Sequence, residues 1–210
     1  MLTFDEVNLY VGFRAHDPEP ETIRAHLMDR DQVDTLVQDD HVGFMVDTFN
    51  DQRRSFQFRI NPLGVQAEAV NSSVSEDWDW DIIWYSAGRI GDEGYTVEVA
   101  VPINQLRFPA GKESLTFGFD AMRSWPRSVR HRMVSRYWDY DDSCIMCQFA
   151  QVSGFQGLDP AYNVEINPTL TSTRTDRRED FPDGNLESGD VDLDPGLTGR
   201  WGIIGQCPGA

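Results

Sequence analysis

The run from Glu76 to Phe108, EDWDWDIIWYSAGRIGDEGYTVEVAVPINQLRF, constrains this chain more than any other stretch. Its pattern predicts two strands folded back on each other. In the first, Trp78 to Tyr85, alternation sets Trp78, Trp80, Ile82 and Trp84 on one face and Asp79, Asp81, Ile83 and Tyr85 on the other. Gly91-Asp92-Glu93-Gly94 then supplies turn residues that tolerate positive φ. The second strand, Tyr95 to Val101, sets Tyr95, Val97, Val99 and Val101 against Thr96, Glu98 and Ala100, and Pro102 ends the pairing. A sheet face carrying several indoles is either a packed core or a platform for a flat ligand such as a sugar ring.

The same period of two recurs along the chain. Leu9, Val11 and Phe13 mark one strand, Val42 to Asp47 a second, and Ser55 to Asn61, with Phe56, Phe58 and Ile60 on one face, a third. Leu115 to Met122 is another, and Arg132 to Tyr140 one more. Gly, Asn, Asp and Pro turns separate them, and no stretch between them has helical period. The fold expected is all-β, an antiparallel β-sandwich of jelly-roll type. After Gly157-Leu158-Asp159-Pro160 the pattern changes: Val164 to Thr173 and Gly196 to Ile204 alternate again across a polar, acidic loop from Thr175 to Asp194. Strands of that kind resemble the opening of an outer-membrane β-barrel, though an ordinary hairpin has the same periodicity.

In 210 residues there are 18 Lys plus Arg against 35 Asp plus Glu, a net charge of −17. That charge repels nucleic acid and anionic lipid and suits a neutral ligand, a cation or plain solubility. The Cys144-x-x-Cys147 pair has no second pair to complete a zinc site, so a local disulfide in an oxidising compartment is expected.

Three clusters stand out as sites. Trp78 and Trp80, with Asp77, Asp79, Asp81 and Tyr85 beside them, combine aromatic faces for the C–H side of a sugar with carboxylates for its hydroxyls. Trp84, before Ser86-Ala87-Gly88, reads as core, and Trp125 and Trp138 are further aromatic candidates. Asp47, Asn50 and Asp51 could supply calcium with turn oxygens, with Asp39-Asp40 as an alternative, yet Asn-Asp is also ordinary turn chemistry. The basic stretch Arg123, Arg127, Arg130, His131, Arg132 and Arg136 suits an acidic sugar or, more economically, internal ion pairs. Asp77, Glu93 and Glu98 offer carboxylates for glycoside hydrolysis, but pairs arise by chance in so acidic a chain, and no nucleophile or phosphate-loop motif is present. His16, His26, His41 and His131 lack ligand spacing and read as surface residues. The domain is expected to be non-catalytic.

Four segments, NLYVGFRAHDPEP, DDHVGFMVDTFNDQRRSFQFRINPLGVQ, DWDWDIIWYSAGRIGDEGYTVEVAVPINQLRF and FGFDAMRSW, resemble in order and spacing the carbohydrate-binding module family 9 domain. The version most similar stands ahead of an outer-membrane-type barrel in bacterial surface proteins, and NVEINPTLTSTRT and DVDLDPGLTGRWGII are similar to the first barrel strands there. The resemblance implies a sandwich over residues 1–158 that binds glycan, sometimes carries calcium and is often attached to xylan-degrading enzymes. It further implies that 159–210 is a linker and the start of a barrel, in an extracytoplasmic or outer-membrane location. Family members begin with further strands, so a truncated piece of a longer protein is expected. The alternative is an interaction module that docks on its own barrel without sugar. A third possibility, haem held by Met45, Met122 or Met133 as in relatives of the sandwich, has no spacing to support it.

Overall fold

The computed structural model describes residues 1–158, 164–178 and 183–201. The chain divides into two compact units, Met1–Pro160 and Ala161–Ala210.

The first unit is an antiparallel sandwich. Its strands in chain order are β1 (Leu2–Phe4), β2 (Asn8–His16), β3 (His41–Asp47), β4 (Arg54–Ile60), β5 (Gln66–Ser72) and β6 (Glu76–Asp77). They continue with β7 (Tyr85–Gly91), β8 (Gly94–Pro102), β9 (Ser114–Pro126), β10 (Arg130–Val134) and β11 (Ala150–Gln156). The smaller sheet runs β1-β2-β8-β7, and the larger runs β10-β9-β3-β4-β5-β6 with β11 also on β9. One short helix, α1 (Val33–Leu36), lies on the excursion between β2 and β3.

The core lies where the two sheets face each other. Tyr95, Val97, Val99 and Val101 of β8 are buried while Thr96 and Glu98 are exposed, the period of two expected of a strand wet on one side. Opposite them stand Val42, Phe44 and Val46 of β3 and Phe58 and Ile60 of β4, with Phe44 stacked on Phe58 at 4.8 Å. The β7–β8 hairpin closes at Gly91–Gly94, and Gly94 has φ +127°, where a Cβ would meet the Ala15 carbonyl.

At one end the sheets are stitched by charge. Asp17, just after β2, accepts from Arg123 at 2.9 Å, Arg127 at 2.7 Å and Trp125 Nε1 at 2.8 Å, all on or beside β9. Arg127 also reaches Asp40 at 2.8 Å. The basic stretch thus spends Arg123 and Arg127 on buried carboxylates, as internal pairing predicts. Asp39 and Asp40 hold the preceding excursion, accepting the backbone amides of His26 and Arg24, so that pair serves the fold.

Several boundaries differ from the sequence pattern. The strand predicted over Trp78–Tyr85 is a turn followed by irregular chain, and the strand that pairs with β8 starts only at Tyr85. Its residues, Ser86-Ala87-Gly88-Arg89, have no apolar alternation because β7 is an edge with one poorly covered side. Arg132–Tyr140 is strand only to Val134; beyond it the chain loops over the larger sheet. His41 is buried rather than at the surface.

The second unit is a long hairpin, β12 (Val164–Arg174) with β15 (Val191–Trp201), and a small ladder, β13 (Arg177–Arg178) with β14 (Leu186–Glu187). β15 therefore begins within the predicted loop. No closed barrel forms among the described residues, and the predicted boundary at Asp159-Pro160 and strand end at 202–204 lie outside them.

The Asp17 cluster carries a test. Asp17 is 5% exposed, so Asp17→Ala removes the shared acceptor of two guanidiniums at the sheet junction and leaves Asp40 as their remaining carboxylate. Urea denaturation of this variant should show a loss of about 3 kcal/mol or more; a loss under about 1 kcal/mol would mean that the stitch contributes little.

Candidate functional site

The inner faces of the sheets are filled, and the outer face of the larger sheet carries the candidate site. Register fixes which side chains point there: His41, Gly43, Met45 and Asp47 of β3, Gln57 and Arg59 of β4, Ala67, Ala69 and Asn71 of β5, Asp120 and Met122 of β9, and Arg132 and Val134 of β10. Gly43 sits between the stems of Arg59 and Met122, and a Cβ there would come within 2.6 Å of the Phe58 carbonyl. The segment after β10 folds across part of this face. Trp138, Met146 and Phe149 cluster with Met45, and the Cys144–Cys147 disulfide closes the tip, as the spacing predicts.

The cover is incomplete and leaves a cavity of about 360 Å³. Met45, Met122, Trp138 and Met146 give it apolar walls; Ser55, Gln57, Arg59, Asn71, Glu76 and Arg132 give it polar ones. Oriented to satisfy its neighbours, the Gln57 amide accepts from Arg59 Nε and Nη2 at 2.8 Å and faces the Asn71 amide at 2.8 Å. Burial lowers the Arg59 pKa, Glu76 counters this and the Arg132 charge adds to it. Ser55 Oγ and the outer amide atom of Asn71 are buried without a partner. A mixed cavity of this kind can seat a small polar molecule against an indole and thioethers.

The predicted indole platform is split. Because the segment turns at Trp78-Asp79, the two indoles do not share a face. Trp80 packs on Phe56 and Phe58 at 5.0 and 6.3 Å, on the core side, whereas Trp78 lies over the Arg59 guanidinium at 4.7 Å, on the outer side. Both are half-buried. Asp77, Asp79 and Asp81 are exposed, and Tyr85 is 63% exposed on the other sheet. Asp77 accepts the Asp79 amide and Asp81 pairs with Arg30 at 3.3 Å. Trp84 is 3% exposed, a core residue.

Trp84 is held by a buried carboxylate that the sequence pattern did not single out. Glu68 accepts from Trp84 Nε1 at 2.9 Å, from the Ile82 amide at 3.3 Å and from Arg30. Burial dominates these bonds and pushes the Glu68 pKa up to about 7. Asp31, Glu68 and Asp81 together form a three-carboxylate group, but Arg30 pairs with all three and is its cation.

The predicted calcium ligands serve the β3–β4 turn. Asp47 accepts the amides of Phe49, Asn50 and Gln52 at 2.7–3.1 Å, and burial raises its pKa despite them. Asp51 accepts the Arg53 amide, and Asn50 takes φ 52°. This is turn closure by side chains. Of the methionines weighed for haem, Met45 and Met122 line the cavity as walls, and Met133 is exposed.

No protein-family model and no curated protein matches the chain. A solved structure, that of a candidate carbohydrate-binding protein from Bacteroides uniformis, is similar over 70% of each chain, with 12% identity and a TM-score of 0.47. At that level the likeness carries no argument about this chain.

Glu68 makes a testable pH signature. Its folded pKa of about 7 stands above the ordinary 4.5, so between those values the folded chain binds more protons than the unfolded one and loses stability as pH rises. The urea-derived stability of wild type minus that of Glu68→Gln should fall across this window and level off above it. A difference that does not vary with pH would contradict the assignment.

Proposed function

We propose that the first unit is a non-catalytic carbohydrate-binding module and that its ligand enters the outer-face cavity. The observation that carries the reading is the cavity's composition: an indole and thioethers on one side, and guanidinium, amide, hydroxyl and carboxylate groups on the other. Sugars present those two kinds of surface, C–H faces and a hydroxyl edge. The volume suits one or two sugar units rather than a long stacked chain. Glu76 is the one carboxylate lining it, whereas glycoside hydrolysis by the usual route needs two flanking the bond. Trp78 takes part through Arg59, whose guanidinium it covers. Asp77, Asp79 and Asp81, on the same segment, would serve as an outer rim, while Trp80 and Tyr85 stand apart from the cavity.

The second unit supports an outer-membrane location. Register puts Ile166, Pro168, Leu170, Leu193, Pro195 and Leu197 on one face of the hairpin, and Asn167, Thr169, Thr171, Asp192 and Asp194 on the other. The apolar side chains on the first face are exposed. Strands of 11 residues, apolar on one side and polar on the other, match the length and pattern of barrel strands in a bilayer. On this reading the module is the front of a surface protein with its own barrel.

Three outcomes test these assignments. On a glycan array, Ser75→Trp, which plugs the cavity mouth from an exposed position, should abolish the binding shown by the unaltered chain; retained binding would place the sugar elsewhere. Trp78→Ala should weaken the same interaction by about 1 kcal/mol without shifting the urea midpoint. Leu170→Arg with Leu197→Arg should move the chain from the detergent phase to the aqueous phase on partition, and unchanged partition would count against the barrel.

A further inference from the structure

The charges in the cavity are the reverse of the chain's. In a protein of net charge −17, the lining carries two guanidiniums, Arg59 and Arg132, against one carboxylate, Glu76. Glu76 stands 3.9 Å from Arg59 Nη2 and so neutralises only part of that charge. Arg132 makes no ion pair among the described residues, although carboxylates are abundant elsewhere. The same field is felt at His41 on that sheet face. Buried His41 has its pKa lowered to about 4, first by burial and then, against the Asp39 carbonyl, by Arg59, Arg132 and Arg130.

Two like charges facing one cavity repel each other, and an anion between them would draw on both. Arg123 and Arg127 are met by Asp17 and Asp40 from the chain itself, whereas Arg59 has only the distant Glu76 and Arg132 makes no ion pair among the described residues. The unpartnered Ser55 Oγ and Asn71 amide atom add hydrogen-bonding capacity at the same wall, as ring hydroxyls would use. A divalent cation is excluded there by the guanidinium pair.

Resting on the carbohydrate-binding reading above, we propose that the cavity recognises a carboxylated sugar, a hexuronate unit, whose carboxylate sits between Arg59 and Arg132. Planar guanidinium and planar carboxylate make the paired bonds that give such recognition its geometry. Glu76 and the amides of Gln57 and Asn71 then take the sugar hydroxyls.

The test is calorimetric titration of the whole chain with short oligomers of galacturonate, glucuronate, mannuronate and guluronate, with the methyl esters of the same oligomers, and with neutral and sulfated glycans. One of the uronates should bind roughly tenfold or more tightly than its methyl ester, which keeps the shape and removes the charge. Arg132→Gln, at an exposed position, should abolish that preference while leaving the urea midpoint unchanged. Equal affinity for acid and ester, or preference for neutral or sulfated glycans over every uronate, overturns the acid assignment and leaves the carbohydrate-binding reading standing. Binding to no glycan of any class overturns both.

Discussion

Every residue of β3 from His41 to Asp47 is buried, and that fact governs how the rest of the chain is arranged. A strand in a two-layer sandwich buries alternate residues against its partner sheet and leaves the others wet. Here Val42, Phe44 and Val46 face the smaller sheet, so Gly43, Met45 and their neighbours require a second cover outside the sandwich. The loop between β10 and β11 supplies it with Trp138, Met146 and Phe149. It closes over Met45 but not over the whole face from Arg59 to Arg132, and the cavity is what remains. The cavity is thus a consequence of a covering layer that stops short.

The walls of that cavity are fixed by groups far from it. Asp17 joins β2 to β9 through Arg123 and Arg127, and Glu68 ties the irregular Trp80–Trp84 segment to β5 through Trp84, Ile82 and Arg30. A carboxylate so deeply buried is stable only where several donors meet it, and here Asp17 is met by four and Glu68 by three. Ser55, Gln57, Arg59, Asn71, Glu76 and Arg132 of the cavity stand on strands β4, β5, β6 and β10, so a ligand entering there would cost little ordering of its walls.

Where inside and outside alternate cleanly, the fold was legible in sequence. β8 with its Val-x-Val-x-Val, and β4 with Phe56, Phe58 and Ile60, declare their faces directly. β5, QAEAVNS, does not, because Ala67 and Ala69 are small where the outer face needs room and Glu68 is buried through its partners, neither being a strand signal. The indole run misled for a definite reason. Trp78 and Trp80 keep strand spacing, but the chain turns between them around the sheet edge, sending one to Arg59 and the other to Phe56. Trp138 was visible only as a further aromatic candidate on an expected strand; its place on the cavity depends on a loop folding over the sheet, which periodicity does not encode. The internal pairing of Arg123 and Arg127 did follow from charge balance, whereas the isolation of Arg132 needed coordinates.

The central claim, that ligand enters between the outer sheet face and the loop over it, can be read most directly from the indole N–H resonances in a two-dimensional nitrogen–proton NMR titration with an oligogalacturonide. Trp138, 5% exposed and on the cavity wall, should shift with saturation, while Trp84 and Trp125, held by Glu68 and Asp17, should stay in place. A titration that saturates with Trp138 unmoved and the shifts confined to Trp80 or Trp125 would contradict the account.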